Sequence, residues 1–378
     1  MKNKLTDSQI QHHIDVAKLR SLDWYKSMQA DGCSNGVSRI STFHDEKAWP
    51  GMLLPGTYNS VMGRALLGDI DQCLPKARDD LANWLRAHRQ ADGVFKIPGM
   101  RDEDVYKKPD PVETRRYIDF HVTNYSVGAL AFLCPSEKPK LDFVLPWLDL
   151  TFLKAWLAER DLRDPWQEGN NIVNLCGFLM LLPRECQPQA LAALSEIFKW
   201  HYRLQEPATG FWGVGQLSDD LLALHAMAGS MHNFHLWYAL GEKLPYQDRS
   251  VDYALAQEPK IISACIDVDL VDLLVHAHLL NDYRRFDIEI WLREILSRLL
   301  SFQNADGGFP DTREGVWRQD GWVKGYEEAQ GFSNTFSTWF RWIAIAMISD
   351  CLWPGWRPWR FREMIGIGYR RPLGLEAS

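Results

Sequence analysis

A short turn keeps returning along this chain. It reads MQADG at Gln29, RQADGVF at Gln90, EPATGFWG after Gln205 and QNADGGF from Gln303. Each copy follows a segment of helical period, and Gly with small polar residues marks the chain reversal. One helix-and-turn unit that recurs in this way means a repeat architecture, in which a unit buries its apolar face only against its neighbours.

The unit is clearest from Ile261 to Asp311. Its first helix, starting near Asp267, carries Leu270, Leu273, Leu274 and Ala277 at helical spacing, with Val271 and Val275 on the far side. It is apolar nearly all round except for Asp269, Asp272 and His276, which fall within about 60° of one another at 3.6 residues per turn. A buried helix with one acidic stripe should face a polar cavity. The second helix differs: Ile288, Trp291, Leu292, Ile295, Leu299 and Phe302 share one face, with Asp287, Arg293, Glu294 and Arg298 mostly opposite. That pattern predicts an outer helix with one wet face.

The same alternation is expected along the whole chain. Inner segments are Pro55 to Gly68, a helix from His121, Gly169 to Leu182, Met231 to Gly241, the DVDLVD helix and a helix from Gly331. Outer helices are Leu5 to Gln29, Lys76 to Arg89, one ending near Arg160, one ending at Gln205, and Ile288 to Phe302. The charged stretch from Pro98 to Tyr117 reads as a loop. The expected fold is all-α, an (α/α)6 toroid barrel of alternating outer and inner helices. It would occupy residues 1–378 as a single domain, with 353–378 a Trp/Arg-rich C-terminal extension.

Each inner segment begins polar and turns apolar. The polar groups are Tyr58 and Asn59; His121 and Asn124; Asn170, Asn171 and Asn174; His232, Asn233 and His235, with Tyr238 beyond; Asp267, Asp269 and Asp272, with His276 beyond; and Asn334 with Thr335. Any one of them also reads as a helix cap. Capping does not require the further Asn, His and Asp one turn in, and parallel inner helices would gather all of them at one mouth, the expected site.

Composition narrows the function. The chain has 17 Trp, 17 Phe and 12 Tyr, which suits a carbohydrate platform, a cavity that stabilises carbocations, or simply a packed core. A net charge of −7 argues against nucleic acid. Seven cysteines without a C-x-x-C pair read as reduced thiols, and the N-terminus lacks the apolar core of a signal peptide, so a cytoplasmic protein is expected. Trp353, Trp356 and Trp359, interleaved with Arg357, Arg360, Arg362, Arg370 and Arg371, allow peripheral contact with an anionic membrane, an anionic substrate, or a tail that wraps the barrel.

The run DVDLVD, followed after one outer helix by QNADGGF, resembles the terpenoid cyclases and protein prenyltransferases of the α-toroid superfamily. Class II cyclases of that group carry an Asp-x-Asp-Asp motif on an inner helix and repeated Gln-x-x-x-Gly-aromatic turns. The resemblance implies an enzyme, a cyclase or isomerase acting on an isoprenoid, in which Asp269 protonates an alkene or epoxide and Asp267 holds its geometry. Leu270 stands where that motif has its last Asp, and Asp272 would act from the next turn. An alkene is so weak a base that its acid must be kept protonated by burial and a like charge alongside. No cofactor is expected. Zinc of the prenyltransferase kind is not expected either, because the Asp-x-Cys pair is here Asp267-x-Asp269 and residue 332 and its neighbours offer no His.

A rival reading comes from polysaccharide lyases and glycoside hydrolases, which also use α/α barrels. GNNIVN at Gly169 to Asn174 looks like the Asn-Asn segment of alginate-type lyases, with Ile172 where those have His. Asn170, Asn171, His232, His235 and Tyr238 would then act on an acidic glycan. Paired carboxylates for hydrolysis would come from Asp119, Asp219, Asp267 or Asp269. A third reading is a non-catalytic toroid that only binds.

Overall fold

The computed structural model describes residues 5–32, 36–100, 110–162, 165–213, 215, 219–313, 326 and 329–360. Among the described residues run twelve α-helices and no strand. They are α1 (Asp7–Ser27), α2 (Leu53–Leu66), α3 (Pro75–Arg86), α4 (Pro111–Leu133), α5 (Leu150–Ala158), α6 (Pro165–Leu181), α7 (Gln187–Leu204), α8 (Asp220–Leu240), α9 (Gln247–Ala256), α10 (Ala264–Leu280), α11 (Arg285–Ser301) and α12 (Thr335–Leu352). None of the described helices is long and apolar enough to cross a membrane. The all-α expectation holds.

The even-numbered helices are the segments whose sequence marks them as inner, and they are buried over most of their lengths. Odd-numbered helices such as α1, α7 and α11 bury one face, as the heptad-like spacing of their apolar residues requires. Three inner helices begin earlier than their apolar runs suggest. Asp110 caps α4 through the Glu113 N–H at 3.0 Å, so residues 111–117 are helical where a loop was expected, and 101–109 lie outside the described residues. Pro111 stands at the first helical position, where proline starts a helix as readily as it breaks one. Asp219 likewise caps α8, twelve residues before the expected start at Met231, and α6 begins at Pro165. His121, Asn124, His232 and His235 therefore sit in the middle of their helices and not at polar starts.

The residues form two compact units, Met1–Trp84 with Gln257–Arg360, and Leu85–Ala256. In the first, α12 packs between α10 and α2, with α11 against α12 and α1 along α11. In the second, α6 packs between α4 and α8, with α5 and α7 against one another.

Both units use one device where a turn hands the chain to an inner helix. The first backbone N–H after the turn donates to a buried hydroxyl on the coming helix. Ser38 bonds Thr57 of α2 at 3.0 Å and Phe309 bonds Thr338 of α12 at 2.9 Å. In the second unit Phe95 bonds Thr123 of α4 at 2.9 Å and Trp212 bonds Ser230 of α8 at 3.0 Å. An orphan donor is thus satisfied without water at each entry to the core.

The Gln of the turn has a visible task. The Gln303 amide donates to the carbonyl oxygens of Gly307 and Ala17, both at 2.8 Å, and so ties the turn to α1; Gln205 does the same for Gly210 and Pro245 at 2.9 and 3.0 Å. Aligning Ala91-Asp92-Gly93 with Ala305-Asp306-Gly307 puts Arg89 at the place of Gln303, and Gln90 at that of Asn304. Backbone bonds agree, since Gln90 donates to Val94 at 2.7 Å and Asn304 to Gly308 at 2.9 Å. Gln90 is therefore not the structural counterpart of Gln303.

The described part of the C-terminal stretch folds back on the first unit. Arg357 pairs with Asp15 of α1, Arg360 with Asp71, and Trp359 packs near Trp342 at 6.2 Å. Arg362, Arg370 and Arg371 lie outside the described residues.

Candidate active site

Ser263 caps α10, and nearly the whole helix is buried. Asp267, in its first turn, is 2 % exposed and fully engaged. One carboxylate oxygen accepts the Ile262 N–H at 2.9 Å, and the other accepts Arg341 Nη1 from α12 at 2.5 Å. Arg341 is 0 % exposed, and its remaining donors reach the carbonyls of Asp311 at 2.6 Å and Pro310 at 3.2 Å. The Asp311 carboxylate in turn accepts the Ala264 N–H at 2.7 Å, in the first turn of α10. A buried guanidinium stays charged, so its partner is the carboxylate that this site stabilises as an anion. Burial raises the Asp267 carboxyl above its ordinary value, and Arg341 offsets only part of that rise.

Asp269 has no such support. It is 7 % exposed, and its Oδ2 finds no hydrogen-bond partner among the described residues. Burial, then the charges of Asp272 and Asp267, push its carboxyl well above the usual range. Asp272 lies against His276 Nδ1, one turn further along the same stripe. Of the three acids, one has a guanidinium and an amide N–H, one has an imidazole, and Asp269 has neither. The surroundings of Asp269 therefore disfavour its charged form. The neighbouring Cys265 thiol is pushed well up as well, by burial and by the carboxyls of Asp269, Asp311 and Asp267.

A second polar group occupies the other unit. His121 of α4 bonds the Tyr117 carbonyl at 2.9 Å and the Asn170 side chain, and burial lowers its pKa to about 4. His232 of α8 lies 6.4 Å from Trp166 and 6.4 Å from His235, ring to ring, and burial together with those imidazoles lowers it to about 3. Tyr238 stands 6.2 Å from His235. His121, Asn170, His232, His235 and Tyr238 are thus neighbours, with His121, His232 and His235 inside their helices and Tyr238 in the last turn of α8.

One asparagine of the expected set, Asn171, is otherwise employed. The Asn171 amide donates to Glu113, at 3.1 Å to the carboxylate and 3.2 Å to the carbonyl, and Glu113 is also held by Arg116, Arg160 and Trp156. Asn233 lies beside His201 of α7, whose pKa burial lowers to about 3. In the first unit Asn334 caps α12 through the Ser337 N–H at 2.7 Å, so the capping alternative describes it. Tyr58 and Asn59 are buried on α2, and burial pushes the Tyr58 hydroxyl well up; Asn124 is partly exposed on α4.

Sequence reasoning missed Arg341, Asp311, Glu113 and Arg160. Arg341 was visible as the only charge between Thr335 and Ser349, in the midst of TFSTWFRWIAIAMIS. The others gave no signal, because their partners are distant in sequence. Among the described residues no three His, Cys, Asp or Glu are placed to hold a metal ion. A groove of about 1050 Å³ between α1 and α11, lined by Ile10, Val16, Ile290 and Leu300 among others, contains none of Asp267, Asp269 and Asp272.

No protein-family model matches the sequence, and no curated protein matches it either.

Proposed function

We propose that this chain is a terpenoid cyclase-like enzyme in which Asp269 starts the cyclisation of a linear isoprenoid by protonating an alkene or epoxide. The observation that carries this reading is the unequal support of three neighbouring acids, which leaves Asp269 with the proton. Once the proton has left, Asp269 becomes an anion beside Asp272 and Asp267, and their combined negative charge favours the carbocation that forms. Aromatic faces would stabilise the same cation, and α12, packed on α10, carries Phe336 and Trp339 with ring centroids 4.2 and 5.0 Å from that of Phe340. The reading extends to architecture: alternating inner and outer helices, with one turn device in both units, are what an (α/α)6 toroid requires.

The test is incubation of the purified protein with linear isoprenoid diphosphates and epoxides in deuterated water. A proton-initiated cyclisation gives a cyclic product carrying one solvent deuterium at the initiating carbon. Absence of any cyclic product across that panel would refute the reading.

The second unit supports a different chemistry. His121 and His232 are neutral at physiological pH, as a base that removes the proton beside a uronate carboxylate must be. The Asn170 and Asn171 amides, which would neutralise that carboxylate in a lyase, are already bonded to the Trp166 carbonyl and to Glu113. That commitment places the lyase reading second. An unsaturated sugar released from an acidic polysaccharide would reverse the order.

A further inference from the structure

Three carboxyls on one buried helix cannot all ionise, yet nothing in the DVDLVD run itself says which keeps the proton. The helix offers Asp267, Asp269 and Asp272 with equal local chemistry and Cys265 alongside. The choice comes from elements packed on α10. From α12 comes the only guanidinium described against the cluster, Arg341; from the turn before it comes Asp311; and on α10 itself His276 lies against Asp272.

Arg341 is spread over three acceptors from two segments. Its Nη1 takes Asp267, while Nε and Nη2 take the carbonyls of Pro310 and Asp311 at 3.2 and 2.6 Å. Both carbonyls are neutral, so Asp267 is the one carboxylate these bonds give the guanidinium, and the two backbone bonds stop it from swinging toward Asp269. The Asp311 carboxylate points elsewhere, to the Ala264 N–H at 2.7 Å.

We propose that Arg341 is the positioning residue of the acidic stripe: by fixing Asp267 as the anion, it leaves Asp269 as the carboxyl that carries the proton. This deepens the proposed function, because it makes the identity of the acid a property of a contact between α12 and α10. Arg341 touches no reacting atom. It acts through Asp267, whose negative charge beside Asp269 holds the proton there.

The experiment reads the proton and not turnover. Infrared difference spectroscopy follows the C=O stretch of a buried protonated carboxyl in the full-length protein against pH. In the wild type the band should vanish on Asp269→Asn and persist on Asp267→Asn. Asp267→Asn keeps the shape and removes the anion, so the midpoint at which Asp269 loses its proton should fall by about one pH unit or more. Arg341→Met should move the proton, so that the band survives Asp269→Asn in that background. Arg341→Lys keeps a charge beside Asp267 and should leave the proton on Asp269.

An unchanged Asp269 midpoint in Asp267→Asn would overturn the proposal, and that arm stands even if Arg341→Met does not fold. A band lost with Asp269→Asn in the Arg341→Met background would overturn it too. Failure of the functional reading looks different: the band behaves as described, and no isoprenoid is cyclised.

Discussion

Gly169 of α6 lies so close to Gly229 of α8 that a Cβ on the first would stand 2.3 Å from the carbonyl oxygen of the second. No side chain can be accommodated there without moving one helix, and these two helices carry Trp166, Asn170, His232 and His235. Gly169→Ala should cost about 1 to 3 kcal/mol, the range for overpacking a well-packed core. Urea unfolding measures it. A loss below about 0.5 kcal/mol would show that the approach is looser than described.

The repeated hydroxyl contacts make a second prediction. Thr338→Val keeps the shape and strands the Phe309 N–H, and Thr123→Val does the same to Phe95. Each should cost about 1 to 3 kcal/mol, the penalty of a buried donor left alone, while the Ser variants should cost much less. Chemical denaturation of the four proteins checks it.

Stability should fall in acid well before the carboxylates titrate. His121, His201 and His232 have folded values of about 4, 3 and 3 against an unfolded value of roughly 6.5. Between those limits the unfolded chain binds more protons, so stability rises with pH; it is intact above about 6.5 and is lost as pH falls toward 4. Asp269, raised by burial, works in the opposite sense, adding stability below its unfolded value that is lost as pH climbs through its folded one. Urea midpoints at pH 7 and pH 5 should therefore differ, and His201→Gln, which cannot protonate, should narrow the difference.

Much of the fold was legible because helical period and turn residues are local. The Leu270, Leu273, Leu274, Ala277 spacing specified α10, and the QNADGGF turn was placed correctly after α11. What the sequence concealed was settled by partners far along the chain. Pro111 and Gly169 look like breaks in isolation, yet one opens a helix and the other lets two helices meet. The acidic stripe was readable from spacing alone. Its division into an anion and an acid was not, because that depends on Arg341, 74 residues from Asp267. Asn334 and Asn171, read as site residues, turned out to bond a helix end and Glu113, since Asn at a helix start serves a cap or a site with the same chemistry.

The central claim is that Asp269 is the acid, and the most direct measurement compares turnover of the cyclised isoprenoid by the wild type and Asp269→Asn, with thermal unfolding of both. Asparagine keeps the shape and has no proton of that kind to give. Turnover should fall by several orders of magnitude, while the unfolding temperature stays level or rises, because a buried carboxyl that the fold must keep neutral, and that ionises freely in the unfolded chain, has been removed. A variant that unfolds at lower temperature and keeps its specific activity would contradict the account, leaving Asp269 a structural residue of α10.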